Sequence, residues 1–114
     1  MSVSELKKEQ LIRLRFIDAV FSKHGRFSRV MLTETFGISV ITATRDLKIY
    51  RELNEDIFYD TSAKVFLATG NFSVVGSLWE NALTDRVGFL RAIESLYGVK
   101  IGVRHLPTFG VHKV

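Results

Sequence analysis

Cysteine is absent from this 114-residue chain and proline occurs once, at Pro107. Without cysteine there is no disulfide framework and no thiolate metal site, a composition that fits a reducing cytosol. No stretch reaches the roughly 18 consecutive apolar residues that a membrane helix needs, and the N-terminus lacks the continuous apolar run of a secretory signal. Neither sign of charge dominates. Net charge is +4, with 11 Lys/Arg against 9 Asp/Glu in residues 1–72 and 5 against 3 in residues 73–114, so each part carries +2. A balance this mild permits nucleic-acid binding without establishing it, and the placement of individual charges matters more.

Catalytic patterns are missing too. His24, His105 and His112 have no metal-ligand spacing, and no Ser/His/Asp arrangement, phosphate-binding loop or G-x-G-x-x-G is present. No enzyme activity, cofactor, metal or small-molecule ligand is predicted. What the chain does contain is a globular composition, 46% hydrophobic and 11% aromatic, enough for one domain or one small domain plus an oligomerisation element.

Helical periodicity organises the first half. Residues 4–23 are predicted as a helix capped by Ser4, with one apolar stripe at Leu11, Leu14, Ile17 and Phe21 and a second at Ile12, Phe16 and Val20. So wide an apolar arc implies burial on more than one side, either within one domain's core or partly against another subunit. Gly25 is a candidate left-handed cap. Ser28 caps a shorter helix through Phe36, Gly37 supplies a turn, and Ser39 caps a third helix from about Val40 to Leu53 whose inward face is Ala43, Leu47 and Tyr50. Ile57-Phe58-Tyr59 and Val65-Phe66-Leu67 are two short strands around the polar turn Asp60–Lys64. Three helices followed by a hairpin is the order of a winged helix-turn-helix, with the hairpin as the wing.

Beyond Gly70-Asn71, apolar residues return at helical spacing from Ser77 to Tyr97, and Thr84-Asp85 can cap a fresh helix within that run. Gly98 ends it. Val99 to Leu106 alternates weakly enough to suggest a strand, and Pro107 to Val114 reads as a tail.

Taking the inward face from the third helix leaves Ser39, Val40, Ile41, Thr42, Thr44, Arg45 and Lys48 outside. The first turns of a recognition helix enter the major groove. Thr42 and Thr44 can bond phosphates or base edges, Arg45 can grip guanine O6 and N7 together, and Ile41 offers a methyl surface to thymine. Lys48 and Arg51 lie further along, toward phosphate. Arg26 and Arg29, at the start of the second helix, and Lys64, at the hairpin tip, are further candidates for DNA contact. The same polar residues also suit any solvated helix face or turn. Asp46 is expected to face away from DNA and to pair with a basic side chain such as Arg29, or with a helix N-terminus.

The sequence Ser39-x-x-Thr42-Ala43-Thr44-Arg45-Asp46-Leu47-x-x-Tyr50 resembles the S-x-x-T-[apolar]-x-R-D-L-x-x-L signature of DeoR-type winged helix-turn-helix domains. Together with Leu14-Arg15-Phe16-Ile17, Gly25-Arg26, Phe36-Gly37-Ile38-Ser39 and Tyr59-Asp60-x-Ser62-Ala63-Lys64-x-Phe66-x-Ala68, it is similar to the N-terminal domain of WYL-domain repressors of the BREX-associated and CapW-like kind, over about residues 10–72. The resemblance implies a homodimeric transcription regulator, usually a repressor, on an inverted repeat of double-stranded DNA. It assigns groove contacts to Ser39, Thr42, Thr44 and Arg45 and a wing contact to Lys64. Those regulators continue into a WYL domain. The 42 residues of segment 73–114 are too few for one, so ligand sensing is not expected, and a phage or mobile-element regulator acting on the nucleoid in the cytoplasm would suit such a chain.

The expectation is therefore a mainly α fold with a small β-hairpin: a winged helix-turn-helix DNA-binding domain over residues 1–72, and a C-terminal helix and tail over 73–114 that dimerises the protein. Leu11, Phe21, Trp79, Leu83, Leu90 and Tyr97 are candidate interface residues, unless they fold back on their own domain. The alternative function is a winged-helix module that binds a host or phage regulatory protein rather than DNA.

Overall fold

Four α-helices and a three-stranded antiparallel sheet account for most of residues 2–101, the part of the chain that the computed structural model describes. Helix α1 spans Lys8–His24, strand β1 Arg26–Phe27, α2 Arg29–Phe36, α3 Val40–Leu53, β2 Ile57–Asp60, β3 Val65–Ala68 and α4 Arg86–Tyr97. The predicted winged helix-turn-helix order is present.

Local chemistry sets the boundaries. The Ser28 hydroxyl accepts the Val30 amide at 3.3 Å and starts α2, and Ser39 accepts the Thr42 amide at 3.1 Å and starts α3. Gly25 and Gly37 end α1 and α2 in the left-handed conformation, at φ 74° and 66°. Ser4 does not cap α1. Ser2 instead caps a preceding 3-10 turn over Val3–Glu5, in a reciprocal capping box with Glu5, and α1 begins only at Lys8.

The sheet runs in the order β1-β3-β2, with Phe27 and Tyr59 both in register with Phe66 from opposite sides. Strand β1 was not legible in advance, because two residues carry no alternation. It forms by pairing with β3 of the hairpin, not from its own propensity. At the wing tip the Asp60 carboxylate accepts the amides of Ser62 and Ala63 at 2.9 and 3.2 Å, and Lys64 closes the turn at φ 59°.

The core lies under α1. Leu14, Phe16, Ile17, Val20 and Phe21 are fully buried, with Phe16 set edge-on to Phe27 and Phe21 stacked on Tyr50. Both apolar stripes of α1 are thus spent within the chain. On α3 the predicted inward residues Ala43, Leu47 and Tyr50 are buried, and Asp46 and Ile49 join them.

The segment after the wing closes onto this core. A 3-10 turn over Gly76–Trp79 buries Leu78, and α4, started by Asp85 at the expected break, buries Leu90 and Ile93 against α1. Phe21 and Leu90 are therefore core residues of their own chain, not surface available to a second copy. Residues 99–101 form no strand. The rest of the expected strand, the tail, His105 and His112 lie outside the described residues.

Candidate nucleic-acid interface

The outer face of α3 is open. Ile41 is 71% exposed and Val40 55%, and Ser39, Thr44, Arg45 and Lys48 are exposed beside them. Thr42 is half-buried. Its amide and its Oγ1 both bond the Ser39 hydroxyl at 3.1 Å, so it is drawn into the cap of the helix.

Asp46 does face away from this surface, but its partner is not Arg29. Arg13 on α1 pairs with it, Nε to Oδ2 at 2.5 Å, and Asp46 is 1% exposed. Arg29 turns the other way. Its Nη1 donates to Thr44 Oγ1 at 3.1 Å on the open face of α3. A surface bond thus replaces the ion pair expected there.

Between α3, the start of α2 and the wing runs a groove of about 900 Å³. Arg29, Lys48, Arg51 and Lys64 line it, with one acidic residue, Glu52. Val30, Val40, Leu47, Tyr59 and Phe66 give it an apolar floor and wall. The guanidinium of Arg51 lies 5.6 Å from the Phe66 ring centroid, and Tyr59 packs on the same ring at 4.9 Å. A cationic trench with aromatic walls is suited to a phosphodiester strand. Arg29, Lys48 and Lys64, candidates from the sequence, come together here with Arg51, expected at phosphate. Tyr59 and Phe66 line the groove as well; they stand in the hairpin strands and in the wing motif of the resemblance, but neither is assigned a contact from sequence. Arg26 is half-buried in β1 and does not line the groove.

The remaining interface candidates divide. Leu83 is fully exposed, and Tyr97 is half-exposed with its ring edge-on to Phe36 at 5.0 Å. Leu11 and Trp79 are partly buried against the core. Trp79 is occupied on several sides: its Nε1 donates to Asp18 at 2.7 Å, Phe89 packs edge-on to it, and the guanidinium groups of Arg15 and Arg86 lie 5.9 and 5.5 Å from its ring centroid.

Asp18 is the buried polar centre behind α3. Its carboxylate accepts the Tyr50 hydroxyl from α3 at 2.5 Å, and the Val75 amide and Trp79 indole from the segment after the wing at 3.2 and 2.7 Å. Asn54 donates to the Tyr50 hydroxyl and to the Ser73 carbonyl, extending the network. Burial pushes the Asp18 carboxyl above its ordinary range, and the donors from Tyr50, Trp79 and Val75 and the charge of Arg86 pull it part of the way back. Burial, then the neighbouring Asp18 charge, raises Tyr50 far above an ordinary phenol. Burial lowers Arg15, and burial with the charges of Lys23 and Arg26 lowers His24.

Among the described residues no group of three or more His, Asp or Glu side chains is placed to hold a metal ion, and no helix is long and apolar enough to cross a membrane. Residues 9–87 match the family model of the BrxR transcriptional regulator winged helix-turn-helix domain. The chain is similar to the DNA-binding transcriptional repressor CapW of Pseudomonas aeruginosa, 39% identical over 93 residues that cover 79% of this chain and 31% of that protein. It is also similar to CapW of Stenotrophomonas maltophilia, 36% identical over 73 residues (63% of this chain, 24% of that protein), and to CapW of Escherichia coli, 42% identical over 64 residues (55% and 21%). It spans less than a third of the length of each of these relatives. With a family match that runs from α1 through the wing to the first turn of α4, the chain belongs to the BrxR transcriptional regulator winged helix-turn-helix domain family.

Proposed function

We propose that this chain is a sequence-specific, double-stranded DNA-binding module of a transcriptional repressor, and that it acts as a homodimer on an inverted repeat. The observation that carries the reading is the solvent-facing ridge of Ile41, Thr44 and Arg45 on α3 beside a groove lined by Arg29, Lys48, Arg51 and Lys64. The ridge would enter the major groove, and the trench between α3 and the wing would take the adjoining phosphate strand. The relatives, DNA-binding transcriptional repressors, support the same direction. Such a protein would work on the nucleoid, in the cytoplasm.

A single recognition helix gives limited affinity, and two copies on a palindrome would set their helices about 34–36 Å apart. Leu83, Val87, Leu96 and Tyr97 expose apolar surface on and beside α4 that a second copy would cover. Selection of bound duplexes from a random pool tests the whole reading. A two-fold symmetric motif is expected, with binding that weakens steeply as salt rises. Failure to bind any duplex at low salt would remove the DNA reading and favour a protein-docking role.

A further inference from the structure

We infer that the ring of Phe66 on β3 holds Arg51 of α3 across the groove as a pre-ordered fork for a DNA phosphate, so that Phe66 is a positioning residue for DNA binding although it carries no polar group. This role presupposes the DNA-binding reading above.

Arg51 stands in the last turn of α3 and is exposed. An exposed arginine samples many rotamers, and ordering it on a ligand costs side-chain entropy. Here the guanidinium lies 5.6 Å from the centroid of the Phe66 ring, within the range of a cation–π contact. The ring is itself held. Phe66 sits in the central strand of the sheet, in register with Phe27 on one side and Tyr59 on the other, and the Tyr59 ring packs on it at 4.9 Å. A fixed ring therefore meets the flexible end of Arg51 before any ligand arrives, and part of the ordering cost is met in the free protein.

The contact leaves the arginine able to bind. A ring attracts a cation through its π face, whereas the five N–H donors of a guanidinium lie in its plane, at the edge. Among the described residues Arg51 spends none of them in a hydrogen bond. Two parallel N–H groups can then reach two oxygens of one phosphate. Lys48, one turn earlier, lines the same groove, but an ammonium is a point charge with no flat face for a ring to hold. The groove thus pairs a charge that follows the backbone loosely with a fork whose direction the wing sets.

Affinity for a duplex of arbitrary sequence, measured by fluorescence anisotropy with wild type, Phe66→Leu, Arg51→Ala and the double variant, tests the coupling. Phe66→Leu keeps an apolar side chain in the strand and removes the ring. It should weaken binding about two- to fivefold, the worth of an exposed cation–π contact. In the Arg51→Ala background the same substitution should cost nothing further. Arg51→Lys, at an exposed position, keeps the charge and gives up the flat face, so it should lose at least as much as Phe66→Leu. The side-chain protons of Arg51 in the free wild-type protein should resonate upfield of their ordinary positions, shifted by the ring current of Phe66. An equal cost of Phe66→Leu in both backgrounds would mean that Phe66 only supports the wing. That result, wild-type affinity in Phe66→Leu, or unshifted Arg51 protons would each remove the positioning role and leave the DNA reading standing. Wild-type affinity in Arg51→Lys would do the same even if Phe66→Leu does not fold. If wild type binds no duplex at low salt, the DNA reading falls and the role of Phe66 falls with it.

Discussion

Arg13 on α1 and Asp46 on α3 form a bidentate ion pair, Nε to Oδ2 at 2.5 Å and Nη2 to Oδ1 at 3.3 Å. Asp46 follows Arg45 in the chain, and one residue along a helix turns the side chain by about 100°. Tying Asp46 inward therefore fixes the rotation of α3 about its axis and leaves Arg45 outward. The position next to the proposed reading head sets its direction.

Removing Arg13 alone would strand a carboxylate that is 1% exposed. Arg13→Met is expected to cost about 3–5 kcal/mol of folding stability, as for other buried pairs broken from one side. Arg13→Met with Asp46→Leu should recover most of that loss. Urea unfolding of the two single variants and the double variant measures the coupling, and simple additivity would deny the pair its structural role.

Arg45→Ala should act on binding and not on folding. The side chain is exposed, so its loss should change stability by less than about 0.5 kcal/mol. Loss of a two-pronged guanine contact should cost roughly 1–3 kcal/mol, or about five- to 150-fold in affinity for the selected site. A gel-shift titration beside a thermal melt separates the two effects. Unchanged binding would remove Arg45 from the reading surface.

The trench predicts a different signature. Lys48→Ala, Arg51→Ala and Lys64→Ala should each weaken binding to all duplexes about equally and reduce the slope of log K against log salt by about 1. Fluorescence anisotropy between low and moderate salt measures the slope. A change in motif with no change in slope would move that residue from the phosphates to the bases.

The sequence carried the local parts of this architecture because its punctuation is local. Ser28, Ser39 and Asp85 cap helices through bonds that span only two or three residues, and Gly25, Gly37 and Gly98 close them with a left-handed residue. What depended on distant partners was not legible. The strand at Arg26–Phe27 exists only because Leu67 and Phe66 lie opposite. Asp46 could be expected to face inward, but Arg13, 33 residues away in the chain, could not be picked out as its partner. The apolar residues from Ser77 to Tyr97 look alike in sequence, and only packing on α1 separates Leu90 of α4, which is buried, from Leu83 before it, which is fully exposed. Asp18 was the quietest of these. A carboxylate within the buried stripe of α1 was the only hint that the segment after the wing would be fastened there.

That fastening has a measurable pH dependence. Tyr50, Val75 and Trp79 all donate to Asp18, so Asp18→Asn should place an amide NH2 where a donor already points, at a cost of about 1–3 kcal/mol. Trp79, whose indole meets Oδ2, should report the change as altered fluorescence. The raised pKa sets how that cost varies. A carboxyl that holds its proton more tightly folded than unfolded gives up stability as pH climbs from its ordinary value of 3.8 through its raised folded value. Wild type carries that loss, and Asn, which does not titrate, does not. The difference in stability between the two proteins should therefore be largest at the acid end of that window and smaller at neutral pH. Chemical denaturation of both proteins at several pH values follows it directly. A gap that widens toward neutral pH would mean that the three donors outweigh burial and that Asp18 sits below its ordinary range.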